Sequence, residues 1–155
     1  MNPTPSTTDE LTGKIIGAAM KVHGKLGFGF VESVYENSLA HELRKAGFKA
    51  KQQVAIKVYY DGIIVGDFKA DLVVDDAVIL ELKAVEKATT VHEVQLVNYL
   101  NGVGKDVGLL LNFGARSLEF KRKYRRPKGD SDRIGFRGLT GLLAVIAGKL
   151  LGYFQ

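Results

Sequence analysis

The sequence predicts an α/β (α+β) domain whose mixed sheet is flanked by helices. Three observations carry that expectation. Two stretches near the N-terminus, running to about Lys25 and Ala46, place apolar residues at helical spacing. Three strand-like runs follow with only short turns between them, at Asp61-Gly62 and around Asp75-Asp76, so those neighbours run antiparallel. A further helix then leads into Val107 to Phe113, an almost wholly apolar run of the kind expected of a buried strand after a crossover helix.

Taken in order, Met1 to Ser6 is expected to be a loose arm. Thr7 and Glu10 form a capping-box pattern, and a helix should follow to about Lys25 with Leu11, Ile15, Ala18, Ala19, Val22 and Leu26 on one face. Gly13 and Gly17 weaken that helix by up to about 1 kcal/mol each relative to alanine unless another element packs closely there. His23, near its end, is expected at the surface or in a cap. The glycines of Gly24 to Phe30 break the helix, and no Gly-Lys-Ser/Thr follows to make a phosphate loop of them. A second helix runs from Glu32 or Ser33 to Ala46, with Leu39, Ala40 and Leu43 inward and Gly47 as its stop. Gln52 to Tyr60 is the first strand, Ile63 to Val74 the second with a bulge or bend at Gly66, and Ala77 to Ala84 the third. A helix from Val91 to Leu100, capped by Thr89 or Thr90, presents His92, Gln95 and Tyr99 as one polar stripe. Asn101 to Lys105 is expected as a loop. Leu118 to Tyr124 reads as an edge strand whose Lys121, Arg122 and Lys123 discourage pairing with other chains.

A length of 155 residues suits one domain with a real core. There is no cysteine, which excludes a disulfide framework and any cysteine-based metal site or nucleophile, and fits a cytoplasmic location. Met1 to Asp9 is polar and carries no secretory pattern. The net charge of +5 is uneven: residues 116 to 155 carry 10 Lys/Arg against 3 Asp/Glu, so the basic character is C-terminal. It can attract nucleic acid or an anionic surface, or be a solvated tail. After Tyr124 a polar linker leads into the apolar stretch 139–154, too short and glycine-rich for a membrane span. That stretch is expected to dock on the domain, self-associate, lie at an interface or bind a protein partner.

The chemistry concentrates between Asp71 and Lys83. Asp71, Glu81 and Lys83 interrupt runs that otherwise ask for burial, and a buried charge needs a partner or a metal. Glu81 and Lys83, two apart on a strand, share a face. A two-residue turn at Asp75-Asp76 would pair residue 71 with 80, on the wrong face. A three-residue turn over Asp75 to Ala77 pairs 71 with 81. The longer turn, or a bulge, is therefore expected. Asp71 and Glu81 would then offer the hard oxygens that Mg2+ or Mn2+ prefers.

The pair Asp71 and Glu81-Leu82-Lys83 resembles the motif of the PD-(D/E)xK nuclease superfamily, with Ala70 where that name expects proline. Gly29-Phe30-Val31-Glu32-Ser33-Val34-Tyr35 looks like the signature of the GxxExxY family, a branch of that superfamily. It is followed in order by Gly66-Asp67-Phe68-Lys69-Ala70-Asp71, by Glu81-Leu82-Lys83 and by Gln95-x-x-x-Tyr99, and the resemblance spans residues 11 to 124. It implies a restriction-endonuclease-like αβββαβ core with an extra N-terminal helix, in a domain of residues 1–124 followed by the basic linker and apolar segment of 125–155.

The resemblance also implies roles. Asp71 and Glu81 would hold the metal, the Leu82 carbonyl would be a third ligand, and Lys83 would orient water or stabilise charge. Glu32 would face the metal site, although a helix-start carboxylate favoured by the dipole is the plain alternative. Tyr35 would orient Glu32 or simply pack. Gln95 and Tyr99 would position the substrate strand, and the alternative is a solvated face with a half-buried tyrosine. Three function classes stay open: a metal-dependent nuclease acting on DNA, a non-catalytic module that keeps the fold to bind nucleic acid or protein, and a membrane-surface protein using the tail.

Overall fold

The turn between the second and third strands has three residues. The structure, a computed structural model, describes residues 5–126, with side chains from residue 8 onward. Its elements are α1 (Pro5–Leu26), α2 (Glu32–Lys45), β1 (Ala50–Tyr60), β2 (Ile63–Val74), β3 (Val78–Lys83), α3 (Thr90–Val103), β4 (Val107–Asn112) and β5 (Glu119–Tyr124). The five strands form one sheet in chain order, antiparallel throughout except for the parallel pair β3–β4 that α3 bridges. The sheet is therefore mixed and flanked by helices, as expected.

Val74 pairs with Val78, leaving Asp75 to Ala77 as the turn. Asp75 and Asp76 take φ of +51° and +55°, a conformation that aspartate tolerates better than most residues. Asp75 also ties the turn to the start of β1: its Oδ1 accepts the Lys49 N–H at 2.8 Å, and its own N–H donates to the Lys49 carbonyl at 2.8 Å. The same register carried outward puts Asp71 opposite Glu81. The other hairpin turns on Asp61-Gly62, both at positive φ, and a bulge follows where Val58 pairs with Gly66 but Tyr59 with Ile64.

Most of the core lies between the sheet and α1–α2, where Ile15, Ala19, Leu39, Leu43, Leu72, Leu80 and Phe113 are fully buried. A smaller cluster on the other face packs Leu96, Tyr99 and Leu100 of α3 on Ile79 and Leu110. The hairpin β1–β2 contributes to both. Ala50, Leu72 and Val74 belong to the first cluster, while Val54, Ile56, Ala70 and Val73 pack in the second. Side chains two apart on a strand share a face, so Ala70 and Leu72 falling on opposite faces means that the alternation breaks at Asp71. On β1 it breaks at Gln53, whose φ is +52°.

Several expectations are corrected. Helix α1 begins before the Thr7 cap, so Pro5 and Ser6, expected in a loose arm, are helical; proline suits a first helical position because its fixed φ is already right. Among the described residues no element approaches Gly13 or Gly17 closely. His23 is buried rather than at the surface. Its Nε2 lies 2.9 Å from the Ala115 carbonyl and its ring packs on Phe113. Helix α3 runs on through the expected loop to Val103 and ends at Gly104, whose φ of +67° makes the left-handed cap. His92 sits in the first turn of α3, where its Nδ1 accepts the Thr89 N–H at 3.3 Å. Lys121 and Lys123 of β5 reach Glu93 at 3.0 and 3.4 Å, and Arg122 donates to Thr12 at 3.0 Å. The basic edge is thus tied to both helical layers. The linker beyond Arg126 and the stretch 139–154 lie outside the described residues.

Candidate active site

The ladder between β2 and β3 stops at Leu72 and Leu80. At the next position the two carboxylates take over from the backbone. Asp71 Oδ2 accepts the Leu82 N–H at 2.7 Å, and the Asp71 N–H acts on the Glu81 carboxyl, lowering it. The break in strand alternation is what frees these groups. The β2 carboxylate is thereby fixed by the β3 main chain.

Glu81 is 4% exposed, and among the described residues its Oε1 is a buried oxygen with no hydrogen-bond partner. Burial first, and then the Asp71 charge, push its carboxyl up to about 8, against the pull of Lys83 and the Asp71 N–H. Asp71 is also raised, by burial, with the Leu82 N–H, Lys83 and the Gln53 side chain acting in the opposite direction. Lys83 is half-buried, and its charge acts on Asp71, Glu81 and Glu32 alike. Asn112 pairs with Lys83 across the parallel ladder, and its carboxamide holds Val85 by both N–H and carbonyl at 3.1 and 2.9 Å. Val85 also lies so close to Gly114 that its backbone leaves no room for a Cβ there. The chain leaving Lys83 is therefore clamped.

Glu32 stands exposed in the first turn of α2. Its carboxyl is raised by partial desolvation and by Asp71 and Glu36, and lowered by Lys83, which places it at the rim of the same cluster. Tyr35 does not orient it. The Tyr35 ring is fully buried and stacks on Phe113 at 4.7 Å, while its hydroxyl donates to the Gly27 carbonyl at 2.7 Å and accepts the Phe30 N–H at 3.2 Å. It closes the glycine-rich loop from inside. From α3, Gln95 Nε2 donates to the Tyr99 hydroxyl at 2.8 Å. Burial and the Glu81 charge raise the Tyr99 phenol, so it keeps its proton at neutral pH. Leu82 turns its side chain into the core.

Two residues at this site were not anticipated. Glu36 is 8% exposed and accepts hydrogen bonds from Gln52 at 3.1 Å and Gln53 at 2.8 Å. Its position four residues after Glu32 on α2 is the signal that could have found it, since such pairs share a helix face. Gln53 lies opposite Asp71 on β1. Counting from the Asp61-Gly62 turn puts Gln52 there, and the bulge at Val65 moves the register by one.

A divalent ion fits this donor set in part. The orphaned Glu81 oxygen beside Asp71 is a hard donor that a cation could take up. Among the described residues no group of three His, Asp or Glu side chains closes into a ready-made cage. Two carboxylates with the remaining positions left to water is the habit of Mg2+. A cavity of about 360 Å³ lies elsewhere, between α1 and α2, and includes none of these residues. No helix among the described residues is long and apolar enough to cross a membrane.

Among curated proteins none matches. The solved structures that resemble the chain include the following two. One, solved as SSO0001, is 15% identical with a TM-score of 0.49 over 64% of this chain and 53% of its own. The other, the alkaline exonuclease LHK-Exo from Laribacter hongkongensis, is 11% identical with a TM-score of 0.47 over 99% of this chain and 80% of its own. The chain spans about half the length of the first. A family model described as the PD-(D/E)XK nuclease superfamily matches residues 9–126, which hold every element of the sheet and all the residues of the acidic cluster. With its mixed, helix-flanked, restriction-endonuclease-like sheet, the chain belongs to the PD-(D/E)XK nuclease superfamily.

Proposed function

We propose that this protein is a divalent-metal-dependent nuclease that hydrolyses phosphodiester bonds of DNA, and that it is a GxxExxY-type member of its superfamily. The observation that carries the proposal is the orphaned Glu81 oxygen beside Asp71, with Lys83 on the same strand face. Asp71 and Glu81 would hold Mg2+ or Mn2+, with the Leu82 carbonyl as a third ligand. A bound ion supplies charge neutralisation at the phosphoryl oxygens and a water of lowered pKa. Lys83 would orient the attacking water or stabilise the developing charge. Tyr99, which keeps its proton while its oxygen accepts from Gln95, donates to the strand and positions it. Glu32 would bind an outer water or a second ion. Residues 1–124 would form the catalytic domain, consistent with a family match that ends at 126, and 125–155 a separate linker and contact segment.

The test is cleavage of labelled single- and double-stranded DNA, and of RNA, with Mg2+ or Mn2+. Controls are EDTA, Asp71→Ala and Lys83→Ala. Cleavage that requires the metal and disappears in both variants is expected. A folded chain that cuts no nucleic acid form would overturn the proposal in favour of a binding module. Cleavage that survives both substitutions would place the chemistry elsewhere.

A further inference from the structure

Building on the metal-dependent reading above, we infer that Gln53 is a positioning residue that fixes the Asp71 carboxylate and ties it to helix α2. Gln53 is held at φ +52°, a conformation that few residues other than glycine, asparagine and aspartate adopt. Such conformations persist where the surroundings over-determine them, and they cluster at functional sites. Its Nε2 donates to Glu36 Oε2 at 2.8 Å, and the register of β1 and β2 sets Gln53 opposite Asp71, whose carboxyl its side chain holds down. With a carboxylate on each side, the amide cannot turn over without aiming its own oxygen at two acceptors. Glu36 is held in turn by Gln52, whose Nε2 also donates to Asn37 at 2.8 Å.

The chain of contacts therefore runs from α2 through Glu36 and Gln53 to Asp71, and from Asp71 to the Leu82 N–H. It is needed because Asp71 sits where β2 has left the β3 ladder, so strand pairing no longer holds its side chain. Leu82 fixes one oxygen of the carboxylate. Gln53 supplies the second constraint, and partners of this kind orient metal-binding carboxylates.

Two substitutions in the full chain test this. Gln53→Gly removes the amide while keeping a backbone for which φ +52° carries no strain. Gln53→Glu keeps the shape and replaces the donor with a charge facing Glu36 and Asp71. In the metal-free protein, hydrogen exchange at the Leu82 amide is expected to lose protection in both variants, while Leu80, inside the ladder, keeps it. The Mn2+ dissociation constant measured by calorimetry is expected to rise about 10–100-fold, with the thermal midpoint of Gln53→Gly close to the wild type. Unchanged Leu82 exchange together with unchanged Mn2+ affinity would overturn the inference. A wild-type chain that binds no Mn2+ would count against the metal-dependent reading, and Leu82 exchange would then decide the role of Gln53 by itself.

Discussion

Under α1 and α2 the sheet is sealed. Tyr35, Leu39, Leu43, Leu80, Leu82 and Phe113 are fully buried there, and the polar groups among them, the Tyr35 hydroxyl and His23, are each matched to a main-chain carbonyl. Under α3 the apolar cluster is smaller and gives way at Asp71 to charged groups, one of which keeps an oxygen without a partner. The two faces share the same strands: Leu80 and Leu82 point one way, Glu81 and Lys83 the other. Stability is concentrated on the first face, and unsatisfied chemistry is held on the second. Each of the following changes should move one face and spare the other.

The largest effect belongs to the sealed face. Phe113→Ala removes a buried ring stacked on Tyr35 and is expected to cost about 3–5 kcal/mol in urea unfolding. A loss under about 1 kcal/mol there would mean that this face does not hold the fold. Lys83→Ala works the other way. It is expected to lower kcat on DNA about 100–1,000-fold while leaving the urea midpoint nearly unchanged.

The third contrast is pH. The Glu81 carboxyl is pushed up to about 8 in the folded chain, from an ordinary value of 4.5. Between those values the unfolded chain has released the proton that the folded chain keeps, so metal-free stability falls as pH rises, at a limiting slope of about 1.4 kcal/mol per pH unit. Unfolding measured from pH 4.5 to 8 should show that decline in the wild type and a shallower one in Glu81→Gln. The variant should be the more stable of the two at the upper end. A decline of equal steepness in both would assign the dependence to other groups. The smallest effect is Tyr35→Phe, which leaves the Phe30 N–H and the Gly27 carbonyl without their partner and should cost about 1–3 kcal/mol. Faster exchange at the Phe30 amide should accompany it.

Much of the sealed face could be read in the sequence, because apolar period and turn chemistry are local signals. The three-residue turn at Asp75 to Ala77 followed from asking which register unites Asp71 with Glu81, and the structure has it. The charged face was legible only where a motif named it. Glu36 resembles any solvated helix residue until α2 is docked. Gln53 is one residue away from the position that simple counting assigns, because a bulge lies between it and the turn. His23 was misjudged because a histidine at a helix end gives no sign that a carbonyl 92 residues away will meet it. The length of α3 was misjudged because Asn101 and Gly102 resemble a loop, while the left-handed cap waits at Gly104. For Glu36, Gln53 and His23 the deciding contact is distant in sequence.

The most direct measurement is a calorimetric titration of Mn2+ into the wild type and Glu81→Gln at pH 7, repeated in buffers of different ionisation enthalpy. If the orphaned Glu81 carboxyl exchanges its proton for the ion, the wild type binds one Mn2+ and releases close to one proton, and Glu81→Gln loses both. Mn2+ binding with the same proton release in the variant, or no binding to the wild type, would contradict a metal centre built on Glu81.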